Sequence, residues 1–323
     1  MNFHVFVFPS VVSLTLLITG VVFVNGFTDA PNTVSGVISS EIWSKRKACL
    51  ISGIFNMLGI IIFTVLGGKV TESVVNLSNF GKNTYPAVCA CLTGVILFGI
   101  VSWLFAMPSS ESHALISCIF GASLASSVKA ELIPFVSILI YTVFSCVFTL
   151  ILSLFLSRRF KKTEEECIKY EKFACVFSSA AHGAQDGQKF MALYIILLPL
   201  KSLSASVPYL ILAFTVGAFM MAGTILGGGK IIDSLGNEIV KNDAKIAFLS
   251  DFSSTVCVFL CSLLGFSVST GNIKACSLVG AGLGCKRKIN TLTVKRIFLT
   301  SVITFPICIF IGFALTKIFI LIF

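Results

Sequence analysis

Ten apolar stretches, most of them close to the length that crosses a bilayer as a helix, take up the greater part of this 323-residue chain. They run at about 4–40 (interrupted), 48–67, 85–105, 110–128, 133–156, 173–198, 208–229, 245–265, 270–284 and 297–321. No water is present in hydrocarbon to bond backbone N–H and C=O groups. Chain at that depth is therefore helical unless protein or a wet cavity covers it. Composition agrees: the chain is 56% apolar and 12% charged, where a soluble domain carries about 25% charge, and its mean hydropathy is +0.99. The expected class is an all-α integral membrane protein with the lipid bilayer as solvent. The first 25 residues lack a basic leader and a cleavage site, so they read as the first span rather than a signal peptide. The first stretch is too long for one straight helix, and Gly26, Pro31 and Gly36 can break it. The 110–128 and 270–284 stretches are short or rich in Gly and Ser, which fits broken or re-entrant helices. The 12 cysteines are scattered with no CxxC pair and read as packing thiols.

Loop charges orient the chain. If the N-terminus is outside and all ten stretches cross, seventeen of the 24 Lys and Arg residues fall in inner loops and four in outer loops. That bias is what the positive-inside rule requires, and it places both termini outside a plasma membrane. The net charge of +10 is thus an orientation signal, and no nucleic-acid partner is expected. Five crossings per half is an odd number, so a duplicated half enters from the opposite side. The expected organisation is two inverted-topology repeats of about five transmembrane segments, at 1–156 and 173–323, joined by a charged cytoplasmic linker at 157–172. Small residues such as Gly217 and residues 227–229 would suit packing within the chain or in a homo-oligomer.

The duplication has motifs. GFTDAPN (26–32) and HGAQDGQ (182–188) place Asp29 and Asp186 at matching positions inside apolar stretches. A buried carboxylate in a membrane is costly and usually faces a pathway or site. Later in each half comes a Ser-rich element, Pro108 to His113 and Ser267 to Asn272, each followed eight residues on by Gly-Ala (Gly121, Gly280). A broken membrane helix aims free N–H groups and a partial positive charge at the midplane, where they can hold an oxyanion. Ser109, Ser110 and Ser112 in the first half and Ser269 and Thr270 in the second are candidate anion ligands, with Gln188; the same hydroxyls also serve as contacts between helices. An Asp beside an anion calls for a cation or proton between them. Thr28, Asp29, Asn32, Gln185 and Asp186 are candidate ligands for a coupling ion such as Na⁺. Were the ion H⁺, Asp29, Asp186, Glu111, His113 or His182 would carry it. Lys189, one turn after Asp186, reads as its ion-pair partner or as a fixed charge facing the anion. No cofactor is expected, and no metal beyond Na⁺. Asp251 reads as a polar residue at a helix end.

At these residues the chain resembles the inorganic phosphate transporter (PiT) family. NGFTDAPNTV (25–34) is similar to that family's Asn-Gly-x-x-Asp-x-x-Asn element, SAAHGAQDGQK (179–189) to its His-Gly-x-Asn-Asp-x-Gln copy, and WLFAMPSSESHALISCIFGA (103–122) to its Pro-x-Ser-x-Thr-His-Ala stretch. The resemblance spans both halves and implies a symporter importing phosphate with Na⁺ or H⁺ by alternating access. A sulfate permease of the same fold is the alternative substrate reading. The chain departs from the pattern at Thr28 and Gln185, which replace Asn; at Glu111, which replaces a hydroxyl; and at Ser267, Gly271 and Asn272. Glu111 tilts the coupling toward protons. An intramembrane aspartyl protease dyad is the reading from another class. It lacks a GxGD pattern and leaves the Ser elements unexplained, and no enzyme activity is expected.

Overall fold

The computed structural model describes residues 3–322 apart from 30, 79, 105–109, 127–131, 198–206 and 228–237. Among the described residues there is no strand. The helices are α1 (Phe3–Asp29), α2 (Pro31–Ser39), α3 (Lys45–Val65), α4 (Lys69–Leu77), α5 (Thr84–Leu104), α6 (Glu111–Ala125) and α7 (Leu132–Arg159). Then follow α8 (Glu164–His182), a π-helical turn (Gly183–Gly187), α9 (Gln188–Leu197), α10 (Val207–Leu226), α11 (Ala244–Leu264), α12 (Thr270–Gly284) and α13 (Thr291–Ile322). Seven helical stretches among the described residues are long and apolar enough to cross a membrane, the longest in α7 and α13. Those two helices turn phenylalanines such as Phe144, Phe155 and Phe310 outward, as a lipid-facing surface does.

The expected segments are largely found. The helices α6 and α12 fall in the two stretches expected to be short, with 15 residues each, about 22 Å at 1.5 Å per residue, short of the ~30 Å hydrocarbon core. Two differences remain. The segment expected from 173 begins at Glu164, because Thr163 and Glu166 form a capping box: the Glu166 N–H donates to Thr163 Oγ1 at 3.3 Å and the Thr163 N–H to Glu166 Oε2 at 3.0 Å. The charged linker is therefore helical except at 160–163. Helix α4 lies in what reads as a loop. Its nine residues bury Val70, Thr71, Val74 and Leu77 on one face, which packs against α9, a period-3.6 signal too short to stand out beside 20-residue runs.

The first Asp motif lies at the junction of α1 and α2, whose residue 30 is not described. The second Asp motif coincides with the π turn, a form that recurs at functional sites. The leading glycine of each motif is a point of close approach. A Cβ on Gly26 would strike the backbone of Met220 in α10, and one on Gly223 would strike Phe23 in α1. A Cβ on Gly183 would strike Asn56 in α3, and one on Gly59 would strike Ala180 in α8. The same reciprocal contact thus occurs twice, α1 with α10 and α8 with α3. The short helices repeat the pattern: Gly121 of α6 lies on Ile309 of α13, and Gly280 of α12 lies on Leu150 of α7. These packings bring the two Asp motifs and the starts of α6 and α12 to one place.

Candidate functional site

Asp29 belongs to α1, Asp186 sits in the π turn, and His182 ends α8. One ligand atom from each of these three buried residues lies within 4.8 Å of the other two. The two acids placed 157 residues apart in sequence are thus neighbours in space.

Asp186 is fully occupied. Its Oδ1 accepts from Lys189 Nζ at 2.7 Å and from Ser112 Oγ at 3.3 Å. Its Oδ2 accepts from Thr270 Oγ1 at 3.2 Å and lies 3.1 Å from His182 Nε2. Ser112 belongs to the first turn of α6 and Thr270 opens α12, so both helix starts converge on this carboxylate. Asp29 has amide partners instead: Asn25 Nδ2 donates to Oδ2 at 3.1 Å and Asn32 Nδ2 to Oδ1 at 3.4 Å. Thr28 donates to Glu111 Oε1. Glu111 is buried and its Oε2 has no hydrogen-bond partner among the described residues. Among the described residues, no Lys or Arg forms an ion pair with Asp29 or Glu111, while Asp186 has Lys189. An unbalanced carboxylate in a membrane interior needs a mobile cation or a proton. A cavity of about 20 Å³, lined by Asn32, His182, Thr270 and Lys274 among others, adjoins the cluster; that is roughly room for one water-sized occupant.

Several expected ligands do other work. Ser110 and Ser269 cap α6 and α12, accepting from the N–H groups of His113 at 3.2 Å and Asn272 at 3.4 Å. Ser109 lies outside the described residues. Gln185 braces the site: its Nε2 donates to the Phe266 carbonyl at 2.9 Å and its Oε1 accepts from Ser262 at 2.7 Å. Gln188 gives its Oε1 to the Val70 N–H at 3.2 Å and its backbone carbonyl to Thr71 at 2.9 Å, tying α9 to α4; only its Nε2 is left for an anion. His113 lies 3.4 Å from Thr142 and packs tilted against Phe305, 4.5 Å between centroids. It lines an apolar cavity with Asn272, so a proton role beside the acids does not fit it. The ion pair expected of Lys189 with Asp186 is present.

Asp251 is corrected most. It lies inside α11, fully buried, paired with Lys274 of α12. Glu171 of α8 is also fully buried. A Cβ on Gly36 would come 2.5 Å from a Glu171 oxygen and 2.7 Å from an Asp251 oxygen, so both acids face the same backbone of α2. Glu171, Lys274, Asn25 and Asn56 were missed from sequence. Asn56 Oδ1 accepts from His182 Nδ1 at 3.0 Å. For Lys274 there was a signal, since a Lys within an apolar stretch requires an acid partner.

Two stretches of the chain, residues 25–173 and 158–312, match the model of the Phosphate transporter family. The chain belongs to that family. It is similar to a probable low-affinity inorganic phosphate transporter of Bacillus subtilis, 27% identical over 300 residues, 88% of this chain and 90% of the relative. A protein of the same description from Rhizobium meliloti is 27% identical over 317 residues, 93% of each chain. Among solved structures, one described as the sodium-dependent phosphate transporter matches with a TM-score of 0.85 over 98% of this chain and 100% of that chain, at 16% identity. At that identity the likeness shows the fold, a multi-helix membrane architecture. The family and these relatives are transporters, so the chain is not an enzyme and the protease reading of the two aspartates falls.

Proposed function

We propose that this chain imports inorganic phosphate across the membrane together with Na⁺ or H⁺, by alternating access between two inverted repeats. Family membership supports phosphate and disfavours sulfate. The observation that carries the mechanism is the meeting of Asp29 and Asp186 beneath the starts of α6 and α12. Helix starts favour an oxyanion, while carboxylates repel one. The two can coexist only with a cation or proton between them, and that requirement couples the two species. Asp29 with Asn25, Asn32 and the Thr28–Glu111 pair forms the position where a mobile Na⁺ or proton is taken up. Ser112 and Thr270, bonded to Asp186, are the hydroxyls closest to where the anion would sit. In the doubled contact pattern each motif glycine packs on a helix from the other half, so rocking one half against the other would open the site alternately to each side.

The test is radiolabelled phosphate uptake into liposomes holding the purified protein, under an imposed Na⁺ or pH gradient, with sulfate as competitor. Asp29→Asn and Asp186→Asn, each eluting as a single folded species, are expected to lower gradient-driven uptake by about 10- to 100-fold, the equivalent of losing roughly 1.5–3 kcal/mol from a charge-assisted hydrogen bond. Undiminished coupled uptake in both variants would contradict the assignment.

A further inference from the structure

Lys189 holds its ammonium nitrogen among three oxygens: Asp186 Oδ1 at 2.7 Å, Ser112 Oγ at 2.7 Å and the Val268 carbonyl at 2.6 Å. The first comes from the π turn, the second from α6, and the third from the non-helical stretch ahead of α12. A lysine that served only to neutralise an acid one helical turn away would need the carboxylate alone. Here a carboxylate, a hydroxyl and an unwound backbone carbonyl converge from three elements on one point. Oxygens of these kinds, and unwound carbonyls in particular, are what transporters offer a sodium ion at the bilayer midplane. The side chain is 1% exposed, so its charge is committed to this position.

In the first half, the residue matching Lys189 carries no ammonium. Asn32 stands 157 residues before Lys189, the spacing that separates Asp29 from Asp186, and donates to Asp29 as Lys189 donates to Asp186. Gly271 stands 159 residues after Ser112, the spacing that separates Gly121 from Gly280. It takes Ser112's place beside Asn32, where a Cβ on it would lie 3.4 Å from the Asn32 side-chain nitrogen. One acid therefore has a permanent cation and its counterpart has a neutral amide.

We propose that the Lys189 ammonium is a tethered cation filling the second-half coupling-ion position, so that only the Asp29 position is open to a mobile ion. This rests on the cation-coupled reading above. It makes the transporter one mobile cation poorer per cycle than a chain with two open positions. It also predicts that deleting the ammonium while keeping Asp186 opens a second site.

The experiment counts bound ²²Na⁺ at saturation on the purified protein, without phosphate. The unaltered chain is expected to bind no more than one Na⁺. Lys189→Ala should bind one more than the unaltered chain, Lys189→Ala combined with Asp186→Asn should lose that gain, and Lys189→Arg should keep the unaltered count. Two Na⁺ on the unaltered chain would overturn the proposal, as would a folded Lys189→Ala variant with no gain. If Lys189→Ala does not fold, the count on the unaltered chain decides. Because the counting needs no phosphate, failure of uptake in every gradient would refute the transport reading separately.

Discussion

Lys274 and Asp251 neutralise each other at a depth where neither charge could stand alone, and Glu171 adds a second acid beside them. Taking away the single ammonium leaves two carboxyl groups facing α2 with no base. Removing one partner of a buried pair costs about 3–5 kcal/mol, whereas replacing both by apolar groups of similar size is often nearly neutral. Lys274→Met should therefore lower the melting temperature in detergent more than the double variant Lys274→Met with Asp251→Leu does. A single variant as stable as the double would show that the pair carries no such role. The sequence made part of this legible. Lys189 and Lys274 both interrupt apolar runs, and each had to find an acid. Lys189 had Asp186 one turn away and was matched to it, but the partner of Lys274 lies 23 residues distant on another helix. Spacing along a chain identifies partners within a helix; between helices the choice is made by packing.

At the scale of elements, the apolar runs located the long helices, since length and hydropathy are what hydrocarbon selects for. The π turn at the second Asp motif was not legible, because its backbone stays bonded within a continuous helical run that reads as a single segment. Charge obscured the start of α8: Thr163 to Glu166 read as solvated linker, while the same residues make a capping box. That box gives a prediction. Thr163→Ala should destabilise the start of α8 by about 1 kcal/mol, visible as faster amide exchange over the first turn of α8. The hydrogen bond from Lys162, then the Thr163 N–H, holds the Glu166 carboxyl below the usual carboxylate range. A group with a lowered folded value stabilises the folded form above its ordinary titration range and loses that contribution as the pH falls through the folded value. Amide protection in this turn should accordingly be full at neutral pH and decline only under acid conditions. Protection that rose on acidification would contradict the cap.

The whole molecule is where sequence alone constrained least directly, because inverted topology follows from counting crossings, and α6 and α12 are too short to be counted by length. The contacts supply a second line of argument. Equivalent residues 157 apart (Gly26 and Gly183) pack on residues 164 apart (Met220 and Asn56), with each motif reaching across to a helix from the other half. Such exchange is what an approximate two-fold axis between the halves of the proposed arrangement would produce. When each half carries an odd number of crossings, that axis lies in the membrane plane. The proposed topology makes a prediction about sidedness: Lys82, ahead of α5, is expected outside, and Lys161, after α7, and Lys288, after α12, are expected inside. Eleven of the 12 native cysteines are buried, so background labelling should be low. Cysteines substituted one at a time at 82, 161 and 288 can be probed with a membrane-impermeant maleimide. In intact cells only position 82 should react, and in inverted vesicles only 161 and 288. Labelling of 82 and 161 from the same side would mean that α5 to α7 cross an even number of times. The halves would then run the same way through the bilayer, and a site shared by oppositely directed helix starts could not form.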